Sequence, residues 1–474
     1  MLQRPCPPRE RDWSNFGPVS GLIVRTGGRP AGLASLALLA LLALPAGASV
    51  MACAATPAAR MAERGEHAAL RDAIVAREKA GNLSNGEAAS LARLVAEHEL
   101  RSAPPAEAAE RVREVRACAH ELDAALDARM GIHDEAGALA ALARLDAGGL
   151  GLDDVRNLVT DDDPRWRAVG TRSLVRAGDR EARLRALLDP SPLVRRAAAR
   201  ASRIAADPRD AAPLLEAARV DPEPIVRTES VRALAALPAA AAADVALALR
   251  DLWTTGDEGL REDIALAWAG TPLWGAGGRD ALRVLLASGQ GSGVVDGAVA
   301  VLHRADADPE VAQLALGALA RAIEGGSRRT RLQALALAPL DAAHRRLLMP
   351  MVDKASGDDD LEVRVSALAR QVEVRAPGAP GAPGAVQQLE ALAQPGSPVS
   401  GRARFALAVA GDRRVQGWLE QDLAAGAPES KLFAAAALAT LGVAARGAPL
   451  LGDADASVRT RAACTIVAAA RFGR

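Results

Sequence analysis

The chain of 474 residues contains no tyrosine, and aromatic residues make up only 2% of it. Strands favour aromatic and β-branched side chains, whereas helices favour Ala, Leu, Arg and Glu. The hydrophobic half of the sequence is mostly Ala and Leu. We therefore predict an all-α protein in which small side chains let the helices approach one another closely.

The chain also lacks an excess of either charge, because Lys+Arg and Asp+Glu both number 58. Nucleic-acid-binding domains usually carry a clear basic excess, so the neutral total argues against a nucleic-acid partner. A charged fraction of 24% and a hydrophobic fraction of 50% exclude a disordered chain. The length allows two or three compact domains or one extended array.

Clusters of residues that carry catalysis or hold a metal are missing as well. None of the six histidines stands at the spacing His-Glu-x-x-His, and each is isolated from the others. The sequence has no Gly-x-Ser-x-Gly, no phosphate loop ending in Gly-Lys-Ser/Thr and no dinucleotide fingerprint. The Asp triplets 161–163 and 358–360 suit helix capping better than Ca²⁺ binding. We expect no enzyme activity, no cofactor and no metal.

What the chain does contain is a repeated pattern, Asp followed six residues later by Arg. The first three arginines of the pattern are 28 and 32 residues apart, which is the period of a two-helix repeat. Asp/Pro turns precede the second helix of each unit, and both residue types suit a first helical turn. The pairs are Asp161 and Arg167, Asp189 and Arg195, Asp221 and Arg227, Asp358 and Arg364, and Asp453 and Arg459.

Degenerate copies fill the intervals, so the sequence predicts an α-solenoid of about ten two-helix units. Residues 152–374 would form its longer section and residues 386–474 its C-terminal section. Residues 375–385 contain three tandem Ala-Pro-Gly steps and are predicted to form a linker or loop. Residues 63–151 are helical in pattern without the repeat signature, and we expect them to cap the array.

These features resemble HEAT repeats of the armadillo type, including the phycobilin-lyase-like variants, over about two thirds of the chain. The resemblance implies that the five Asp–Arg pairs above form a stacked ladder along the solenoid. Thr255, Gly325 and Pro395 stand where the ladder Asp is expected, which predicts interruptions. The resemblance to HEAT repeats also implies a non-catalytic scaffold whose concave face holds a protein or peptide. The alternative is an enzyme or cofactor-handling protein like the bilin lyases.

Two further groups are candidates for a binding patch. Arg196, Arg200 and Arg203 form a basic helix face next to a ladder arginine and can hold an acidic partner or phosphates. Trp is enriched at binding hot spots, but a large residue that fills a core near glycines is the commoner case. The tryptophans concerned are Trp253, Trp268 and Trp274.

The first 53 residues are predicted to be an export signal. Arg25 and Arg29 precede the apolar run 33–44, which is too short to span a bilayer. The stretch before Arg25 is unusual for such a signal, which favours initiation nearer Val24. Two processing sites remain open: cleavage at Ala46-Gly47-Ala48, or a bacterial lipobox ending at Cys53 that leaves residues 54–62 as a flexible tether.

From the lipobox we expect an outer-membrane lipoprotein that faces the periplasm, attached to the membrane through its N-terminal lipid anchor. The mature chain then keeps two other cysteines, Cys118 and Cys464. They lie near opposite ends of the predicted rod. We therefore expect two small apolar core residues rather than a disulfide.

Overall fold

A computed structural model describes residues 56–175, 178–374 and 382–472, and these residues are helical with short turns. The predicted all-α fold is confirmed. The α-helices of the described residues are α1 (Pro57–Arg64), α2 (His67–Lys79), α3 (Asn85–Ser102), α4 (Pro105–Glu114), α5 (Asp123–Met130), α6 (Glu135–Asp146), α7 (Pro164–Thr171), α8 (Arg180–Ala186), α9 (Pro192–Ala205), α10 (Ala211–Val220), α11 (Pro224–Ala235), α12 (Ala242–Thr255), α13 (Glu258–Ala269), α14 (Thr271–Leu273), α15 (Arg279–Ser288), α16 (Ser292–Leu302), α17 (Pro309–Gly325), α18 (Arg328–Leu337), α19 (Arg345–Ala355), α20 (Leu361–Val374), α21 (Ala382–Leu392), α22 (Ser400–Val409), α23 (Gln416–Ala425), α24 (Pro428–Thr440) and α25 (Ala456–Phe472).

Shorter helical turns connect these elements. They are the 3₁₀ segments Arg116–Glu121, Leu152–Thr160, Arg172–Val175, Pro208–Asp210, Ala239–Ala241, Arg413–Val415 and Ala444–Gly452, and the π segment Trp274–Gly278. No helix in the described ranges is both long enough and apolar enough to cross a bilayer.

The turn aspartates explain where several helices begin. The carboxylate of Asp189 accepts a hydrogen bond from the backbone N–H of Ser191 at 2.8 Å. The carboxylate of Asp221 accepts one from the N–H of Glu223 at 3.0 Å. Pro192 then occupies the first turn of α9, where its missing N–H costs no helical hydrogen bond. Each turn therefore satisfies its exposed donors locally and starts the next helix at a fixed residue.

The second helices of the units, which carry the ladder residues, pack on one another in chain order. We call α7, α9, α11, α13, α16, α18, α20, α22, α24 and α25 the ladder helices; each contacts the next one along the chain. The other helices pack behind them. Buried Ala, Leu and Val side chains from Ala168 to Ala367 form one continuous core.

The last ladder helix does not end the array, because α25 packs on α3 near the start of the described chain. Helix α2 packs on the 3₁₀ segment Ala444–Gly452. Residues of α1–α6 share a single buried core with residues 448–467. We call this packing of α2–α4 against Ala444–Gly452 and α25 the seam. It turns the chain of helix contacts into a closed circuit.

Because the seam joins the two ends of the helix array, two expectations are wrong. Cys118 and Cys464 form a disulfide, with their Cα atoms 5.4 Å apart, a separation typical of disulfides. The expectation of two unpaired core cysteines assumed an open rod, in which the two residues would lie far apart. Residues 63–151 likewise do not cap a free end. They contact the repeats on both sides, through α6 on α7 and through α3 on α25.

Two expected flexible segments are partly helical. Helix α1 covers Pro57–Arg64 and buries Ala58 and Ala62, so most of the expected tether at 54–62 is structured. Helix α21 begins at Ala382, inside the expected loop 375–385. Pro383 is therefore in the first turn of the helix, where proline is tolerated. The predicted export signal with Cys53, and residues 375–381, lie outside the described residues.

Candidate binding site

The predicted ladder joins neighbouring units. Arg195 donates from Nε and Nη2 to the two carboxylate oxygens of Asp221 at 2.7 and 2.9 Å. Its Nη1 donates to the backbone carbonyl of Asp189 at 3.0 Å. Arg167 pairs with Asp189 in the same bidentate way, at 2.8 and 3.1 Å. Each arginine thus holds the turn of its own unit and the aspartate of the next.

The ladder continues across the seam. Arg459 of α25 donates from Nε to the carboxylate of Glu99 on α3 at 2.7 Å, and both side chains are buried. His67 lies 3.3 Å from the same carboxylate. At the other side of this region, His133 contacts the Asp161 carboxylate at 3.0 Å. The N-terminal helices therefore supply ladder partners without carrying the repeat motif.

The predicted interruptions fall partly elsewhere. Arg227 still finds an acceptor, because Asp257, two residues after Thr255, receives its Nη2 at 2.9 Å. Arg261 instead donates to the backbone carbonyl of Trp253 at 3.0 Å. The next turn has Gly289, and a Cβ there would meet the Leu285 carbonyl oxygen at 2.5 Å. An aspartate side chain has no room at that turn.

Further along, the ladder resumes. Arg331 lies 3.5 Å from the Asp358 carboxylate, and Arg364 donates to the backbone carbonyl of Asp358 at 2.8 Å. Lys431 reaches the carboxylate of Asp453 at 2.6 Å. A lysine here does the work that an arginine does in the first units.

A cleft with a cavity volume of about 170 Å³ opens between α4, α6, α7 and α9. We call it the arginine cleft, because five arginines and one glutamate line it. Its other lining residues are alanines and leucines. The lining residues are Arg113, Glu135, Ala138, Leu139, Leu142, Arg165, Ala168, Arg172, Leu193, Arg196, Ala197 and Arg200.

The two more exposed arginines of the cleft are well paired. Arg113 donates to Glu135 at 2.6 Å. Arg165 donates to Asp163 at 2.7 Å and lies 3.5 Å from the second oxygen of Glu135. The hydrogen bond from Arg165 holds the pKa of Asp163 below its usual range. These pairs leave little unsatisfied positive charge at this edge of the cleft.

The other three arginines are less well satisfied. Within the described chain, the buried Nε atoms of Arg172, Arg196 and Arg200 have no hydrogen-bond partner. Arg196 and Arg200 approach the buried carboxylate of Glu229 only to 3.6 and 3.5 Å, and Arg172 reaches Asp146 at 3.1 Å. Burial lowers the pKa of Arg200; Glu229 opposes this, whereas nearby Arg172 adds to it.

A bound anion would add acceptors at the exposed parts of these three side chains, because guanidinium groups match carboxylate and phosphate geometry. It would also relieve the repulsion between Arg172 and Arg200. Among the described residues, no group of three His, Cys, Asp or Glu side chains is arranged to hold a metal ion. The site is suited to binding an anion with an apolar part.

The structure separates the residues of the predicted patch. Arg196 and Arg200 line the arginine cleft, whereas Arg203 contacts Glu229 at 3.9 Å without lining it. Trp268 and Trp274 are buried in the core, and Trp253 packs against that core. The tryptophans therefore fill space between helices and do not share a surface with the arginines.

Three cleft arginines were missed in the sequence. Arg113, Arg165 and Arg172 come from α4, α7 and the turn after α7, and no fixed spacing connects them with α9. Only the packing of α6 beside α7 and α9 beside α7 brings them together. In the sequence, these residues are marked only as basic residues on neighbouring helices. Such residues are common in a chain with this charge content, so they do not predict a cleft.

Residues 152–235, from the segment before α7 to the end of α11, match the family model for HEAT repeats. The matched residues include the three regular ladder units and the α9 side of the arginine cleft. No curated protein matches the chain. With the helix arrangement above, the described chain is an all-α solenoid of HEAT-like repeats, which is a fold typical of binding scaffolds.

Proposed function

We propose that this protein is a non-catalytic binding scaffold of the bacterial cell envelope, which holds a protein or peptide partner in the arginine cleft. One observation carries the proposal: three partly exposed arginines, whose buried Nε atoms have no partner within the described chain, lie beside an apolar lining of alanines and leucines. Buried polar groups in native proteins usually have a hydrogen-bond partner. An anionic group from a partner supplies the acceptors.

Export is supported by the disulfide between Cys118 and Cys464. Disulfides persist in oxidising compartments such as the periplasm and are rare in the cytosol. The signal-like start of the sequence and the Cys53 lipobox agree with this location. The lipid anchor would confine the scaffold to a membrane surface.

The location is tested by the intact mass of the mature protein, purified from its native membrane fraction. A mass that begins at Cys53 with a diacylglycerol and an acyl chain is the expected result. A mass that begins at Ser49 without lipid would replace the anchored form with a soluble exported one. Retention of Met1 would overturn the export proposal.

Binding at the cleft is tested by photo-crosslinking in living cells. Leu193 lines the cleft and is 47% exposed, so a photoreactive amino acid there can reach a bound partner. Leu247 on α12 is 64% exposed, does not line the cleft and serves as the matched control. We expect a discrete crosslinked protein from position 193 alone, lost with Arg196→Gln. Equal products from both positions would contradict a cleft-specific partner.

A further inference from the structure

Resting on the proposed function, we propose a ligand class for the arginine cleft. It binds a single carboxylate attached directly to an apolar group of about leucine size, as found at the C-terminal end of a protein whose last residue is apolar.

The volume of the arginine cleft limits the size of the group that it can hold. The cavity of about 170 Å³ is close to the 150 Å³ of an engineered cavity that admits benzene. It therefore holds one side chain and its attached carboxylate, and it is too small for a helix. A residue at a chain end presents both groups within one unit.

The lining selects an apolar group. Six of the twelve lining residues are Ala or Leu. Leu193 is exposed, and Ala168 and Ala197 are almost completely buried. An apolar side chain in contact with them is removed from water, which favours binding. A phosphate with no apolar part would leave these contacts unused.

The arginine pairing shows where the carboxylate goes. Arg113 and Arg165 already donate to Glu135 and Asp163. The remaining set, Arg172, Arg196 and Arg200, retains unpartnered Nε atoms. Its nearest carboxylates are shared with other arginines, because Arg116 also donates to Asp146 at 2.6 Å and Arg232 also approaches Glu229 to 3.6 Å. The ligand carboxylate therefore belongs next to these three less well paired arginines.

The test is fluorescence anisotropy on the purified mature protein, with the fluorescein-labelled peptide Gly-Ser-Gly-Ser-Leu carrying a free C-terminal carboxylate. The same peptide with a C-terminal amide should bind about tenfold more weakly, since it loses charge-assisted hydrogen bonds. A peptide ending in Ser should also bind about tenfold more weakly, since it buries less apolar surface. Equal affinity of acid and amide would overturn the inference, as would tighter competition by phenyl phosphate than by the peptide.

Matched variants assign the binding to the cleft. Arg196→Gln should weaken the acid peptide about tenfold, whereas Arg203→Gln, on the same helix and facing the same Glu229, should leave affinity unchanged. Leu193→Glu should weaken binding by charge repulsion, and Leu247→Glu on the distant α12 should not. Circular dichroism checks that each variant is folded. Equal loss with Arg203→Gln or Leu247→Glu would overturn the assignment.

Competition with N-acetyl-leucine distinguishes the two sources of this chemistry. Competition at least tenfold weaker than the peptide identifies a protein chain end, and equal competition identifies a free small acid; both support the ligand class. Carboxylate-dependent binding without a crosslinked protein at Leu193 would refute the proposed function alone. A crosslinked protein without carboxylate dependence would refute this inference alone.

Discussion

Two junctions in this protein depend on ion pairs of equal length and nearly equal burial. Between α9 and α11, Arg195 contacts Asp221 at 2.7 Å, with side chains 11% and 5% exposed. At the seam, Arg459 contacts Glu99 at 2.7 Å, with side chains 9% and 6% exposed. Each contact joins an arginine to a buried carboxylate, with two hydrogen bonds to Asp221 and one to Glu99.

Their positions in the chain differ greatly. Arg195 and Asp221 are 26 residues apart, whereas Arg459 and Glu99 are 360 residues apart. The entropy cost of closing a flexible loop grows with its length, by about 2 kcal/mol between these two separations. The seam alone adds a covalent bond, between Cys118 and Cys464. The same ladder contact therefore needs more support where it joins the ends of the array.

The largest effect should come from removing that bond. Cys118→Ser should lower the free energy of unfolding by about 3–5 kcal/mol. The unfolded chain then regains the conformational entropy that the disulfide removes by closing a loop of 346 residues. Thermal unfolding should show a lower midpoint. Hydrogen exchange should rise first in α3 and α25.

Cys464→Ser and the double variant serve as controls for this change. Both should match Cys118→Ser, since either substitution removes the whole bond. An increase in exchange spread evenly over the helices would contradict a seam-specific role for the disulfide.

Glu99→Gln and Asp221→Asn compare the two ion pairs directly. Each variant removes the charge from one buried partner and should cost about 2–4 kcal/mol. The location of the loosening should differ: exchange should rise in α1–α4 and α25 for Glu99→Gln, and in α9 and α11 for Asp221→Asn. Identical exchange patterns would remove the distinction between seam and ordinary junction.

The effect of pH on stability should have opposite signs at the seam and at the junction of α16 with α18. Burial, together with Arg459, lowers the pKa of His67 at the seam below its ordinary value of 6.5. The unfolded chain then takes up a proton more readily, so this contribution to stability is present above pH 6.5 and lost as the pH falls through it. His67→Gln should therefore be more stable than the parent at pH 5.5 and show little difference at pH 7.5.

Asp296 on α16 provides the opposite case. Burial, with Glu262 nearby, raises its pKa to about 6. The folded state holds this proton more tightly, so the contribution is present below pH 3.8 and lost as the pH rises towards 6. Asp296→Asn should stabilise the protein by about 3 kcal/mol at pH 7.5 and hardly at pH 4. Denaturant titrations at pH 4, 5.5 and 7.5 measure the free energy of unfolding of the parent and of both variants. If the stability difference from the parent changed with pH in the same direction for both variants, the opposite roles of His67 and Asp296 would be contradicted.

The smallest effect concerns the ordinary junction that lacks a ladder aspartate. Gly289→Ala should destabilise by about 1–3 kcal/mol, because the new Cβ meets the Leu285 carbonyl oxygen. Gly401→Ala on α22 has no atom within 4 Å of the new Cβ and should gain about 0.5 kcal/mol from helix propensity. Chemical denaturation compares the two, and equal effects would show that close packing does not explain the gap.

The repeats were predictable from the sequence because each unit carries its own signal. The Asp at the turn and the Arg six residues later act within one unit and its neighbour, so their spacing is fixed locally. Closure is different, since it depends on small rotations added over every unit. Glu99 also supplies its carboxylate from the middle of α3, where no turn motif marks it.

The candidate site divides in the same way. Arg196 and Arg200 were found because they share one helix and stand four residues apart. Arg113, Arg165 and Arg172 reach the same cleft from other elements. Trp268 fills the core, which is the commoner role of a large residue near glycines. The sequence reports what lies along one helix and little about which helices meet.

The seam also bears on how the protein can change over evolutionary time. Open repeat arrays gain and lose units readily, because each unit contacts only its neighbours and the new end needs only a polar face. Here, duplication or deletion of a unit would separate α3 from α25 and Cys118 from Cys464. Closure therefore opposes a change in the number of repeats more strongly than substitutions or changes in the length of surface turns.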